Sequence, residues 1–167
     1  FETYLEFFLE DPYSLKSKAE EMGVFNDTRT PMEVLNDLND SGVEAYPNII
    51  PAIFINYKLK TENGKIFPLG GISDTTSILG NESGYYPVIE TDEYGFGNPK
   101  GLYQKNKVDI LLTGDSFTEG HGVNSDEFIS AVLRESGFNA ISLGKAGNGP
   151  LLELAALKEY AAPFQPK

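Results

Sequence analysis

The sequence predicts an α/β fold in which helices cover a parallel sheet, preceded by a helical and loop-rich extension. After residue 107, two apolar runs of strand type alternate with two helical patterns, at residues 108–112, 125–137, 139–143 and 149–163. Strands that alternate with helices through short connections are typical of a parallel sheet. With 167 residues, of which 40% are hydrophobic, the chain is also long enough to bury one sizeable core.

The composition excludes several classes of partner and site. A net charge of −12 disfavours nucleic acids and anionic membrane surfaces, because phosphate binding requires clustered Lys and Arg. The chain has no cysteine, which excludes disulfides and thiolate metal sites. It begins at Phe1 rather than Met, so we expect that a tag, a signal peptide or a membrane anchor preceded it. The oligomeric state is left open.

Residues 1–107 are predicted to be an extension that packs on the core, and they begin with helical patterns. The segment "FETYLEFFLE" has apolar residues at helical spacing. In "DPYSLKSKAEEMG", Asp11 is the expected N-cap and Gly23 the terminator. In "TPMEVLNDLNDSG", Thr30 and Glu33 have the spacing of a capping box, ahead of an apolar stripe.

Residues 43–107 are rich in Pro, Gly, Asn and Tyr and are predicted to form loops and hairpins. The apolar run "AIFINYKL" (52–59) is expected to be extended. The pair Asn63-Gly64 predicts a type I′ hairpin turn, because that turn requires positive φ at both central residues.

Two glycine-rich loops follow the predicted strands, "TGDSFTEG" (113–120) and "GKAGNG" (144–149). Ligands of parallel α/β sheets bind at the carboxyl ends of the strands, so the two loops are predicted to converge on one rim. The last helix is expected to run from Pro150 to Pro163. The helix between the loops is expected to bury Phe128, Ile129, Val132 and Leu133.

Ser116 lies on a sharp turn between a predicted strand and a helix, where Gly114 and Gly120 permit the bend. Such a position presents the hydroxyl to solvent and suits a nucleophile. The turn is not a phosphate-binding P-loop, because no Lys follows the second glycine. Backbone N–H groups of the second loop can donate to an oxyanion, which is worth about 3 to 4 kcal/mol per donor.

Both loops resemble motifs of one enzyme family. "ILLTGDSFTEGHGV" resembles block I of the SGNH, or GDSL, hydrolases, whose serine is the acyl-accepting nucleophile and contributes its own N–H to the oxyanion hole. That serine is Ser116 here. "SLGKAGNGP" resembles block II, whose glycine supplies the second oxyanion N–H, and by its position that glycine is Gly147.

The upstream run "GGISDTTSILGNESGYYPVIETDEYGFGNP" resembles the leader of a bacterial subset often associated with cell-surface polysaccharide, so the resemblance covers residues 70–160. It implies a flavodoxin-like three-layer parallel sheet of the SGNH type, incomplete, with residues 108–167 as its first half. The implied reaction is hydrolysis or transfer of an ester acyl group, with a small acyl group on a carbohydrate, or another small ester, as substrate. The resemblance favours a location in the periplasm or cell envelope over one in the cytoplasm. The implied reaction requires no metal and no organic cofactor, since positioned N–H donors and a proton acceptor suffice.

The chain also departs from the family. The family has an Asn in a G-x-N-D block and an Asp and a His in a D-x-x-H block near the C-terminus, and neither block is present before the chain ends at "APFQPK". The fragment is therefore expected to be nearly inactive, whereas the full gene product is expected to be active. Block II has Ser142 where the family commonly has Asn, and the leader has Gly97 where Arg or Asn is usual.

The neighbours of Ser116 allow more than one interpretation. His121, five residues downstream, is expected to be a rim or substrate-contacting residue rather than the base, because it would point along the next segment. Ser116 itself has the alternative role of helix N-cap. Asp115 is interpreted as a carboxylate that braces the loop and borders the substrate. Asn148 is either a turn residue or a polar contact to substrate.

Two non-enzymatic functions remain open. The domain is alternatively a non-catalytic glycan-binding or assembly module that retains the fold without the chemistry. A self-associating structural fragment is the other possibility, since an incomplete parallel sheet leaves an unpaired edge.

Overall fold

Short strands and short helices alternate in the computed structural model, which describes residues 12–56, 59–62 and 64–164. The α-helices of this part of the chain are α1 (Pro12–Met22), α2 (Pro31–Asp40), α3 (Ser116–Glu119), α4 (Ile129–Glu135) and α5 (Pro150–Ala156). Its strands are β1 (Ala45–Pro47), β2 (Leu59–Thr61), β3 (Gly64–Ile66), β4 (Thr76–Ile78), β5 (Val88–Glu90), β6 (Ile110–Leu112) and β7 (Ala140–Ser142). The predicted combination of helices and strands is confirmed as a mixed α/β structure with small sheets, and the three-layer parallel sheet of the SGNH type stays a prediction. The helical pattern of residues 1–10 lies outside the described residues.

The described strands form three small sheets. β1 runs parallel to β4, which runs antiparallel to β5. β2 and β3 form an antiparallel hairpin, and β6 and β7 form a parallel pair in which Ile110 lies opposite Ala140. The β6–α4–β7 unit is the strand–helix–strand step that the sequence predicts, and it has no third strand among the described residues.

Helix α2 forms as its capping pattern predicts. Thr30 accepts a hydrogen bond from the N–H of Glu33, and the Glu33 carboxylate accepts one from the N–H of Thr30. Its buried side chains, Val34 and Leu35, pack with Ala45 of β1 and with β4. α2 therefore covers one face of the β1–β4–β5 sheet.

The core around β7 contains residues from both halves of the chain. Phe96 and Tyr103, which precede the proposed boundary at residue 107, pack in one cluster with Val108, Ile141, Leu143, Ala156 and Ala161. The turn that contains Phe96 thus anchors the extension on the sheet. The division of the chain at residue 107 remains a prediction.

The extended run predicted at residues 52–59 is wrong over most of its length, because residues Pro51–Asn56 form a 3₁₀-helix. Pro51 sets a helical φ at the first position, and the N–H of Ile53 donates to the carbonyl of Ile50 at 3.1 Å. In the following hairpin Thr61 pairs with Gly64, so the connecting residues are 62 and 63, one position earlier than expected. Asn63 lies outside the described residues.

The buried face predicted for α4 is partly wrong. Phe128 is buried, but Ile129 and Val132 are each 51% exposed. Phe128 and Ala131 pack instead with Ile89 beside the β4–β5 strands, which turns the other two side chains outward. After α5, the chain continues as a π-helical turn and a 3₁₀ turn through residue 164, past Pro163. No helix in the described part of the chain is long and apolar enough to cross a membrane.

Candidate functional site

The two glycine-rich loops lie against each other at the carboxyl ends of β6 and β7. The N–H of Lys145 donates to the carbonyl of Gly114 at 3.3 Å, and the Ser142 hydroxyl donates to the carbonyl of Thr118 at 2.7 Å. A Cβ on Gly144 would lie 2.5 Å from the carbonyl carbon of Thr118, so this approach requires a glycine. The tertiary structure thus brings together the segments that contain Ser116 and Gly147.

Ser116 is the first residue of α3, and Asp115 caps that helix. The Asp115 carboxylate accepts the N–H of Phe117 at 3.1 Å, so the cap is not supplied by Ser116. Ser116 is half-buried, and its hydroxyl has no hydrogen-bond partner among the described residues. The hydroxyl is therefore available to a bound molecule.

Gly147 and Asn148 form the turn of the second loop. Gly147 is exposed and has a φ of +74°, a conformation that favours glycine. Within the described chain, neither its N–H nor the N–H of Ser116 donates a hydrogen bond. The N–H of Asn148 closes the turn onto the carbonyl of Lys145 at 3.1 Å, and its buried Oδ1 has no partner in the same residues. Two backbone donors and one amide oxygen of this loop pair are thus without a partner among the residues that the structure describes.

A buried network around Glu119 joins the two loops, and none of its charged members was expected from the sequence. Oε1 of Glu119 lies 2.5 Å from Nζ of Lys145, and Oε2 accepts the N–H of Ala146 at 2.7 Å. Asn48 completes the network by donating to Glu119 at 2.9 Å and accepting from Lys145 at 2.6 Å. Glu119 and Lys145 lie in the two glycine-rich loops, but nothing in their sequence spacing indicates that the two side chains are buried together.

The environment of Glu119 keeps its carboxylate charged. Burial by itself raises the pKa of Glu119, but the His121 imidazole, 3.5 Å from Oε2, and the charge of Lys145 outweigh it. Together they lower that pKa to about 2. The Glu119 network is therefore a buried ion pair whose lone pairs are satisfied by neighbouring donors.

His121, the chain's only histidine, belongs to the Glu119 network rather than to Ser116. Its Nδ1 lies 3.5 Å from Oε2 of Glu119, and its Nε2 accepts the N–H of Gly80 at 3.2 Å and lies 3.7 Å from Oε1 of Glu82. Neither nitrogen is hydrogen-bonded to the Ser116 hydroxyl. The imidazole is also only 11% exposed. In this arrangement His121 does not act as a base for the serine.

Asn98 clamps the end of β7 just before the second loop. Its amide donates to the carbonyl of Ser142 at 2.9 Å and accepts the N–H of Ser142 at 2.8 Å. The buried Asp92 carboxylate accepts from Asn98 at 2.8 Å and from the Tyr103 hydroxyl at 2.7 Å. Burial raises the pKa of Asp92, and these hydrogen bonds oppose the rise. The segment from Asp92 to Asn98 therefore orients the strand that precedes the second loop.

Gly97 lies against a buried aromatic ring at the N-cap of α4. A Cβ on Gly97 would lie 2.9 Å from Cε2 of Phe128, which is itself fully buried. A larger side chain at this position requires Phe128 to move. The glycine is therefore matched to the packing of α4.

An apolar cleft of about 500 Å³ opens beside Gly147. The residues that line it are Ile55, Phe67, Gly147, Gly149, Pro150, Leu151 and Leu152. No cluster of three or more His, Cys, Asp or Glu side chains suited to a metal ion occurs in the part of the chain that the structure describes.

Comparisons with known proteins identify no relative. No family model, no curated protein and no solved structure matches this chain.

Proposed function

We propose that this chain is the nucleophile-bearing part of a serine ester hydrolase or acyltransferase with a flavodoxin-like three-layer fold of the SGNH type. The observation that supports it is the arrangement at the carboxyl ends of β6 and β7. There the Ser116 hydroxyl and the N–H of Gly147, neither of which has a hydrogen-bond partner in the described part of the chain, belong to two loops in direct contact. A nucleophile and oxyanion donors on one rim are two of the groups that acyl transfer requires, together with a general base.

In the proposed reaction, Ser116 Oγ attacks the carbonyl carbon of an ester and passes its proton to a general base. The N–H groups of Ser116 and Gly147 bind the resulting oxyanion. Collapse of the intermediate expels the alcohol, which takes the proton from the base and leaves an acyl-serine. Water or a second hydroxyl then attacks the acyl-serine and gives its proton to the base. The bond between the acyl group and Oγ breaks, the acid or new ester is released, and the base returns the proton to Ser116 Oγ.

The general base in this proposal lies outside these 167 residues. His121 is the only histidine; its Nε2 accepts the N–H of Gly80, and its Nδ1 lies 3.5 Å from the Glu119 carboxylate. The same observation favours a second candidate function, a non-catalytic glycan-binding or assembly module on a related fold. An uncommitted serine on a rim suits either function.

The decisive experiment measures hydrolysis of 4-nitrophenyl acetate by the full gene product that contains this chain. We expect Ser116→Ala to abolish the activity and Ser125→Ala, a change at an exposed serine of the next loop, to retain it. The 167-residue chain alone should hydrolyse the ester only slowly. Rapid, Ser116-dependent hydrolysis by the short chain would contradict an external base. Glycan binding without hydrolysis by the full product would favour the binding module.

A further inference from the structure

We propose that the cleft beside Gly147 is the acyl-chain subsite and that it takes an acyl chain several methylenes longer than acetyl. This inference rests on the proposed function and defines its substrate class more narrowly. It starts from the position of the cleft. Gly147, the candidate oxyanion donor, is itself part of the cleft wall.

Continuity with Gly147 places one substituent of the ester carbonyl in the cleft. A carbonyl whose oxygen binds the N–H of Gly147 has its two substituents close to that residue. One substituent is the acyl chain and the other is the alcohol. The chemistry of the lining must decide between the two, because both start from the same carbon atom.

The lining favours the hydrocarbon substituent. Of the described residues that line the cleft, seven in number, none has a charged or hydrogen-bonding side chain. Sugar hydroxyls placed there would lose their hydrogen bonds to water without replacement, and a carboxylate would lose more. A methylene group gains about fourfold in binding when it leaves water for such a surface. The alcohol, when it is a carbohydrate, therefore remains on the polar rim.

The size of the cleft sets the length of the chain. Its volume of about 500 Å³ lies within the range of roughly 300 to 1,000 Å³ found for small-ligand pockets. An acetyl methyl group fills only a small part of that space. The lining combines Ile55 of the 3₁₀-helix at Pro51–Asn56 with residues at the start of α5, so the cleft exists only in the folded chain.

A chain-length series on the full gene product tests the subsite. We expect kcat/KM for 4-nitrophenyl acetate, butyrate, hexanoate and octanoate to rise about fourfold per methylene until the cleft is full. Ile55→Asp and Leu151→Asp should lower the octanoate-to-acetate ratio by about tenfold or more, since each places a charge in the cleft.

Two neighbouring residues supply matched controls. Ile53 lies on the same 3₁₀-helix as Ile55 and is similarly exposed, at 63% against 58%, but it does not line the cleft. Leu154 lies on the same helix as Leu151 and is also outside the cleft. Ile53→Asp and Leu154→Asp should leave the ratio unchanged. A wild-type kcat/KM that falls with chain length overturns the subsite. An octanoate-to-acetate ratio that changes equally in the cleft variants and in the control variants also overturns it.

Binding of octanamide, a neutral amide that the serine does not readily cleave, separates the subsite from the proposed function. Amide chemical shifts of Gly147 and Gly149 should change on titration, and Ile55→Asp should weaken the binding. Octanamide binding without Ser116-dependent hydrolysis of any ester would overturn the esterase and support a site for apolar ligands. Ser116-dependent hydrolysis of acetate without octanamide binding would overturn the subsite and support the esterase.

Discussion

The side-chain nitrogen of Lys145 lies 2.5 Å from Oε1 of Glu119, and each side chain is only 3% exposed. Glu119 ends the helix that Ser116 begins, and its other oxygen binds the N–H of Ala146, the residue before Gly147. One buried ion pair therefore holds together the two loops of the candidate site. The ion pair thereby fixes the helix that begins at Ser116 against the loop that contains Gly147.

Breaking this ion pair from one side should be costly. Glu119→Gln leaves the Lys145 cation buried without its counter-charge, so we expect the free energy of unfolding to fall by about 3 to 5 kcal/mol in urea titrations. The double variant Glu119→Gln with Lys145→Met removes both charges and should recover much of the loss. Glu135→Gln, at an exposed position, is the control, with a change within about 0.5 kcal/mol. Equal stability of Glu119→Gln and the control would contradict the prediction.

The pKa of His121 should lie above its ordinary value of 6.5. The Glu119 carboxylate, 3.5 Å from Nδ1, raises this pKa, while burial and the Lys145 charge lower it. The N–H of Gly80 also favours the neutral ring, but a buried full charge outweighs one amide dipole. Glu82, whose carboxylate faces Nε2, also raises the pKa.

Because folding raises this pKa, His121 adds stability that is fully present below about pH 6.5 and is lost as the pH rises through the higher folded-state value. An NMR titration of the ring should give the raised midpoint. The Gly80 amide signal should move with the same midpoint, since a protonated Nε2 cannot accept its hydrogen bond. A midpoint at or below 6.5 would show that Gly80 and burial dominate.

Substitutions at Ser116 and Asp115 should separate capping from chemistry. Asp115→Ala removes the helix cap and should lower the free energy of unfolding by about 0.5 to 2 kcal/mol. Ser116→Ala breaks no hydrogen bond of its hydroxyl to the described residues, so thermal or urea unfolding should change by less than about 0.5 kcal/mol. A larger loss at Ser116 than at Asp115 would reinstate the serine as the cap.

Asn98 should be more important to stability than its loop position suggests. Asn98→Ala leaves the N–H and carbonyl of Ser142 without their partner, at a cost of about 1 to 3 kcal/mol for each unpaired buried group. Urea unfolding should show that loss, and Asn124→Ala, at an exposed asparagine, should not. Hydrogen exchange at the Ser142 amide should also accelerate. An unchanged exchange rate would mean that β7 does not depend on the clamp.

Local chemistry made parts of this structure predictable. The capping box of Thr30 and Glu33 acts within one helical turn, so α2 is readable from the sequence. The two glycine-rich loops follow strands of one parallel pair, so their convergence is also readable. By contrast, the burial of Ile129 and Val132 was predicted wrongly, because it depends on which neighbouring sheet covers α4.

The sequence by itself determined the local elements around the candidate site: a serine turn after one strand, a second glycine loop after the next, and the mixed α/β class. Only the tertiary structure decided what surrounds them. It engaged His121 with Glu119 and Gly80, buried Lys145 against Glu119, and formed the apolar cleft beside Gly147. The physical reason is separation along the chain. Caps and turns are set by neighbours a few residues apart, whereas the partners of Lys145 lie 26 and 97 residues away and meet only when the chain folds.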